Sequence, residues 1–497
     1  METLVRLRTG LLAASCVALG LAGCTSDSAM PDGGGSACPT SQYQWATGGG
    51  GPGHGDGVNG VALAPDGSVW VAGTFIGNAT WGTFQLTATD TVHPSIFVAK
   101  LDPTGKVVIA RVLQQGTAGI DGIDNVPTRI RVDANGNPII VGKFEGKLDV
   151  DGVHLDEALN NGGNGDAFVI GLDGATGMAK FGTQSGGNTD GVEANDVAID
   201  SHGDIYVTGG YNGQVAFGAL PPDTEITSDQ GVFVAKYSPS NDTWLWQKGW
   251  GGMVERTNDG GRGYGIAVTA DGNVYVTGTI AGTLRVDGTV LNADQGSFAA
   301  KLSANDGTVA WTKQMAPGPV QSADIYASAA AIDAAGAFYI TGNFEKAATL
   351  DSKSITAAGG GVDMFVAKYD PTGAIVWVQT AGNADGVITR GDDVAFDGKD
   401  LYVGGFMQGP TSFGGTMITP MSPLFITKYD TGGHTVWVQD AVDEPDSSAS
   451  NETAGIGVST PTSGVVIGGF YDVKTTFGST TLDRIGNGDA FVAELCN

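Results

Sequence analysis

Short runs of apolar or alternating residues, bounded by Gly, Pro, Asn and Asp, recur along nearly the whole chain. The pattern is plainest between Ala331 and Trp377. An apolar run there meets the turn Asp333-Ala334-Ala335-Gly336, and a β-type run, Phe338-Tyr339-Ile340-Thr341-Gly342, ends in glycine. After a polar connection, Phe365-Val366-Ala367-Lys368-Tyr369 enters the turn Asp370-Pro371-Thr372-Gly373, and a last run is centred on Trp377. β-Branched and aromatic enrichment between turn residues predicts four short antiparallel strands, A to D.

This unit repeats. The glycine closing strand B recurs at Gly73, Gly142, Gly209, Gly278, Gly342, Gly405 and Gly469, in steps of 69, 67, 69, 64, 63 and 64 residues. The phenylalanine opening strand C recurs in step at Phe97, Phe168, Phe233, Phe298, Phe365, Phe425 and Phe491. Such a period marks a supersecondary unit that buries its faces only against its neighbours. Four strands per unit predict radially arranged blades, so the expected fold is all-β, a single seven-bladed β-propeller. Tight A–B turns such as Asp66-Gly67 and Asp271-Gly272 force antiparallel pairing and exclude a parallel β-helix.

Connections A–B and C–D are tight, whereas B–C (Ile76 to Ile96, for example) and D–A (Thr380 to Asp393) are long, glycine-rich and variable. In an antiparallel blade both long sets emerge on one face, which is free to diversify. The middle of strand A carries a small residue (Ala62, Ala198, Ala267, Ala331, Ala395, Gly457), as a crowded axis requires. Arg131 is the departure, a guanidinium that either pairs with a carboxylate in the axis or is a candidate axial ligand contact. Strand D carries Trp45, Trp246, Trp311, Trp377 and Trp437, with Ile109 and Phe181 in the remaining repeats. One large anchor per repeat in a fixed strand predicts packing between blades rather than a sugar-stacking platform.

Residues 1–23 hold Arg6 and Arg8 and then an apolar run from Leu11 to Ala22, short for a membrane span and followed by polar sequence, which marks an export signal. Its end, Leu21-Ala22-Gly23-Cys24, resembles the lipobox of bacterial lipoproteins, which implies acylation of Cys24; the alternative is an ordinary signal peptide with a chance cysteine. Thr25 in place of Asp resembles the outer-membrane sorting pattern of that family. Residues 24–37 have the composition of a flexible tether, about 20 Å from end to end, and residues 38–497 form the expected propeller.

Only Cys38 and Cys496 remain in that domain. Seven strand-C anchors are followed by six downstream strand-D segments, and Cys38-Pro39-Thr40-Ser41-Gln42-Tyr43-Gln44-Trp45 overlays Asp370 to Trp377. The N-terminal strand is therefore expected to complete the last blade, with a Cys38–Cys496 disulfide in place of the missing turn, in keeping with an exported chain.

Net charge is −28, and −29 once Glu2, Arg6 and Arg8 leave with the signal. That field disfavours nucleic acid and anionic headgroups as partners. The D–A loops offer Asp56, Asp124, Asp190, Asp259, Asp324, Asp385 and Asp446, a candidate carboxylate-rich mouth for Ca²⁺ or another cation; the competing role for each is to accept local backbone N–H groups. The histidines (His54, His93, His154, His202, His434) fall in different loops without a metal motif. Gly55-Asp56-Gly57-Val58-Asn59-Gly60 leads into a strand, so it is no dinucleotide cradle. Enzyme signals are thin, although a propeller enzyme would gather its site from separate blades.

The unit Ala270-Asp271-Gly272-Asn273-Val274-Tyr275-Val276-Thr277-Gly278, with Phe365 to Trp377, resembles the SBBP-type bacterial β-propeller repeat of exported proteins and lipoproteins, including those of myxobacteria. Departures are Gly171 for the usual Lys in the second repeat and, in the seventh, Glu494 with Cys496 in place of the turn aspartate. The resemblance covers the mature chain and implies fold far more than function. The expectation is a monomeric, lipid-anchored binding or scaffold module at the cell envelope, which recognises a protein or glycan through its long-loop face; the alternative is an envelope polysaccharide hydrolase or lyase with its site on the same face.

Overall fold

The computed structural model describes residues 41–53, 55–88, 91–114, 125–157, 165–186, 191–221, 228–252, 260–319, 323–444, 452–458, 464–486 and 488–496. Antiparallel sheets in the order A-B-C-D run through them. The A strands are Gly57–Leu63, Val126–Val132, Val192–Ile199, Gly260–Val268, Asp324–Ile332, Thr389–Phe396 and Glu452–Val458. The matching D strands are Val107–Gln114, Ala179–Gly186, Thr243–Gly251, Val309–Pro317, Ile375–Gly382, Thr435–Asp440 and, from the other end of the chain, Tyr43–Gly50. Each A strand packs against the next, and Glu452–Val458 packs against Gly57–Leu63. The protein is an all-β propeller of mostly four-stranded antiparallel blades.

The two sequence anchors prove to be one contact. Gly73 pairs across the sheet with Phe97, Gly142 with Phe168, Gly209 with Phe233, Gly278 with Phe298, Gly342 with Phe365, Gly405 with Phe425 and Gly469 with Phe491. A Cβ on Gly73 would stand 2.0 Å from the Gly57 carbonyl oxygen and 2.8 Å from the Phe97 ring. Strand A causes this crowding, because every A strand is bulged opposite this glycine, for example between Ala194 and Asp196 and between Gly391 and Asp393. A bulge adds a residue and turns side chains toward the axis.

The core lies between sheets rather than within them. Tyr206 and Trp246 of the third repeat, for instance, pack with Val274 and Val276 of the fourth. The strand-D tryptophans reach forward as expected: Trp246, Trp311 and Trp377 donate their indole N–H to the Ala304, Pro371 and Thr431 carbonyls in the next repeat's C–D turn, at 2.9, 3.2 and 3.1 Å. The glycine of that turn, with positive φ, sits on the ring; a Cβ on Gly307, Gly373 or Gly433 would be 2.9 Å from it. The strand-C lysine joins the same latch. Lys236 lies 5.0 Å from the Tyr206 ring centre, 2.9 Å from Asp204 in its own A–B turn and 3.4 Å from the Ala304 carbonyl.

The B–C connections are not plain loops. Hairpins occupy Asn78–Trp81 with Phe84–Thr87, Lys147–Val150 with Val153–Asp156, Ala347–Leu350 with Lys353–Thr356, Thr411–Phe413 with Thr416–Ile418, and Thr475–Phe477 with Thr480–Leu482. Several cross to the preceding sheet and pair with its outer strand: Asn78–Trp81 on Tyr43–Gly50, Ala347–Leu350 on Val309–Pro317, and Thr411–Phe413 on Ile375–Gly382. An exposed edge is thereby covered by the neighbour.

At the junction of the chain ends, Tyr43–Gly50 pairs with Asp489–Leu495, with Ala46 opposite Ala493 and Gly48 opposite Phe491. Ser41 N–H donates to the Cys496 carbonyl at 3.0 Å, and Cys496 N–H to that of Gln42 at 2.9 Å. The N-terminal strand does complete the last sheet. Glu494, which stands in the latch-lysine position, accepts the Trp45 indole N–H at 2.6 Å.

Candidate functional site

Bulged A strands stack two layers of side chains on the axis, and one layer is charged. Arg129, 7% exposed, donates through Nη1 to Asp393 at 2.8 Å and sets Nε 3.3 Å from Asp196. Arg129 and Asp393 lie on opposite sides of the ring, 264 residues apart. Burial works against the guanidinium charge, but Asp393 and Asp196 together hold its pKa above the usual value. Asp196 also accepts the Ile266 and Val197 N–H groups, both at 2.9 Å. The axis is thus crossed by a hydrogen-bonded ion cluster, with Gly60 and Gly265 giving the neighbouring backbones room.

Arg131, the residue marked by sequence, sits two positions further along. It donates to Asp196 at 3.2 Å and to the Ile130 carbonyl at 3.3 Å, and its side chain keeps 27% exposure. It borders a cavity of about 320 Å³ on the tight-turn side, lined by Ala62, Ala198, Ala267, Ala331 and Ala395 among other strand-A residues. Sequence reading missed Arg129. Its signal was the i, i+2 spacing to Arg131, which in a strand puts both on one side.

On the long-loop side, Arg262 pairs with Glu193 at 3.1 Å, Lys143 with Glu145 at 3.1 Å and Arg390 with Asp392 at 3.0 Å. Arg390 also lies 4.8 Å from the Phe406 ring centre, and Tyr326 donates to Gln295 at 2.5 Å. A cavity of about 110 Å³ is bordered by Lys143, Glu193, Tyr211, Asn212 and Arg262. A second, of about 410 Å³, is bordered by Asp56, Phe470, Asp472 and Arg484.

The expected carboxylate mouth is only partly within view. Asp124, Asp190, Asp259 and Asp446 lie outside the described residues. Asp56 is buried and accepts N–H groups from Gly51 at 2.7 Å and Ile76 at 3.1 Å; burial raises its pKa to about 6. Asp324 is raised by burial and by Glu345, and Asp385 occupies a turn, donating its N–H to Asn383 at 2.7 Å. Among the described residues no group of three or more His, Cys, Asp or Glu side chains is placed to hold a metal ion. The histidines stay apart: His154 meets Asp149 at 2.5 Å, His434 meets Asp430 at 3.0 Å and His202 is in a turn, each with an exposed ring. His54, Cys24 and Cys38 lie outside the described residues, while Cys496 is buried.

No family model matches the chain, the expected SBBP-type repeat included, and no curated protein matches it in sequence. Among solved structures it is similar to a PL25 ulvan lyase at 13% identity, over 90% of this chain and 98% of that one, with a TM-score of 0.43. It is also similar to the quinohemoprotein alcohol dehydrogenase of Comamonas testosteroni (11% identity, 91% and 76% coverage, TM-score 0.41) and to BamB of Moraxella catarrhalis (11%, 88% and 96%, 0.35). None of these carries over a substrate or a reaction.

Proposed function

We propose that the protein is an exported, lipid-anchored, seven-bladed propeller that acts as a binding or scaffold module at the cell envelope, engaging a protein or glycan with its long-loop face. The observation that carries this reading is the asymmetry of the two faces. Tight A–B and C–D turns take part in the latches between sheets, whereas the opposite face bears hairpins and ion pairs that differ from repeat to repeat. Such a surface varies without disturbing the core.

The count of seven is supported by the glycine–phenylalanine pair that each repeat forms, the smaller sheets being B–C hairpins or their partners. Export, acylation of Cys24 and an outer-membrane address rest on the sequence of residues 1–25. A Cys38–Cys496 disulfide is supported by the backbone bonds that bring Ser41 and Gln42 to Cys496. Loss of acyl-chain labelling in Cys24→Ser checks the anchor, and a mass shift on reduction of the mature chain checks the disulfide.

A hydrolase or lyase is the second reading, favoured by Asp56 with its raised pKa beside a cavity on the long-loop face. Both oxygens of that carboxylate accept loop N–H groups, so binding is the stronger reading. Affinity capture from envelope extract with the soluble 38–497 fragment tests it. Recovery of a protein or glycan through the long-loop face supports it; no capture, together with turnover of a cell-wall glycan, defeats it.

A further inference from the structure

The ion cluster of Arg129, Asp196 and Asp393 crosses the axis, and the cavity on the tight-turn side meets it only through Arg131, which contacts Asp196. Its walls come from the last residues of the A strands. At one register they are Ala62, Ala198, Ala267, Ala331 and Ala395, and at that same register the second repeat has Arg131. Among the described lining residues Arg131 is the only polar side chain; the rest are Ala, Val, Ile, Leu and Phe. A guanidinium carries five N–H donors in a planar fork. Two contacts of Arg131 are to Asp196 and the Ile130 carbonyl, and its partial exposure leaves donors toward the cavity.

We propose that this cavity is a binding site for a small monocarboxylate with an apolar body, the carboxylate received by Arg131 and the body held among the alanine and branched side chains. A planar carboxylate matches the guanidinium fork. Apart from Arg131, the polar groups on the walls are those of the strand backbone, so the side chains themselves favour an apolar body. The volume, about 320 Å³, is at the small end of ligand sites and caps the ligand's size. Multiply charged anions are selected against by the net charge of −28 and by the A–B turn carboxylates Asp66, Asp133, Asp200, Asp333 and Asp397. The five alanines are what keep the space open; a larger residue at any of them would fill it.

The test uses the full mature chain and cyclohexanecarboxylate as probe, with cyclohexanecarboxamide and cyclohexylamine for comparison, followed by calorimetry and saturation-transfer NMR. The carboxylate is expected to bind at least tenfold more tightly than either comparison compound. Arg131→Gln is expected to lower that affinity at least tenfold, and Ala267→Leu, which leaves Arg131 and Asp196 in place, to abolish it with little change in the unfolding midpoint. Should Arg131→Gln fail to fold, Ala267→Leu decides alone. Binding of none of the three compounds to folded wild-type protein, equal binding of all three, or undiminished affinity in Ala267→Leu would overturn the proposal. Each outcome is independent of what the long-loop face recognises.

Discussion

Single atoms decide several positions in this fold. Gly342 has an ordinary extended backbone, so turn geometry does not demand glycine there; the demand comes from the Tyr326 carbonyl oxygen, 1.9 Å from where a Cβ would be. Gly136 is the converse, at φ 84° with open space around it. Gly342→Ala is therefore expected to cost about 2–4 kcal/mol through displaced backbone, against about 1 kcal/mol for Gly136→Ala, as measured by urea unfolding. The buried carboxyls give a second prediction. Asp56 and Asp363 are both raised to about 6, chiefly by burial and against the backbone N–H groups they accept. Their folded pKa lies above the unfolded one, so the folded state takes up protons first as pH falls. Stability is expected to rise from pH 7.5 toward pH 5, by on the order of 1–3 kcal/mol in all, and to turn down below about pH 4, where carboxyls with lowered pKa such as Asp370 and Asp271 lose their hydrogen-bonded charge. Thermal melts across that range check it, and Asp56→Asn with Asp363→Asn should flatten the upper limb.

Strands and hairpins show which parts of the fold were legible in sequence. The glycine and phenylalanine anchors could be read because the contact between them is the same in every repeat, and the tryptophan stripe because Trp246, Trp311 and Trp377 meet the next C–D turn in the same way. The B–C hairpins read as loops in sequence, although Lys147-Leu148-Asp149-Val150-Asp151-Gly152-Val153 alternates and has a turn pair in the middle, with Asp151 at φ 50° and Gly152 at φ 91°. Four-residue strands are too short for alternation alone to distinguish them from polar loop. Arg129 is less legible: the bulge beside Thr128 changes the phase of the strand ahead of it, so only the i, i+2 spacing to Arg131 places it on the axis side. The hairpins have a testable role. Replacing Ala347–Thr356 with a short Gly/Ser linker would uncover the outer edge of Val309–Pro317, whose Met315, Ala316 and Pro317 now pair with Leu350, Thr349 and Ala348. Light scattering is expected to show concentration-dependent association of that variant while circular dichroism keeps its β signal.

For the ring as a whole, the latches of Trp246, Trp311 and Trp377 join neighbouring sheets but do not cross the axis. Arg129 and Asp393 are the link across it, joining the second repeat to the sixth at 2.8 Å, with Asp196 of the third repeat as the shared acceptor. Because all three are nearly inaccessible, their interaction is poorly screened by salt and hard to lose by halves. Arg129→Met would remove the guanidinium that Asp393 and Asp196 share, leaving Asp196 its contact with Arg131 at 3.2 Å, at an expected cost of about 2–5 kcal/mol. The triple change Arg129→Met, Asp196→Asn, Asp393→Asn removes the charges together, while the amide oxygen introduced at position 196 can still accept the Ile266 N–H, and is expected to recover most of that loss. Guanidinium and urea unfolding at two salt concentrations separate the cases: urea should report the full difference, and added salt should leave it unchanged. A cost below about 1 kcal/mol for Arg129→Met would mean that water reaches the axis and that the two halves of the channel communicate after all.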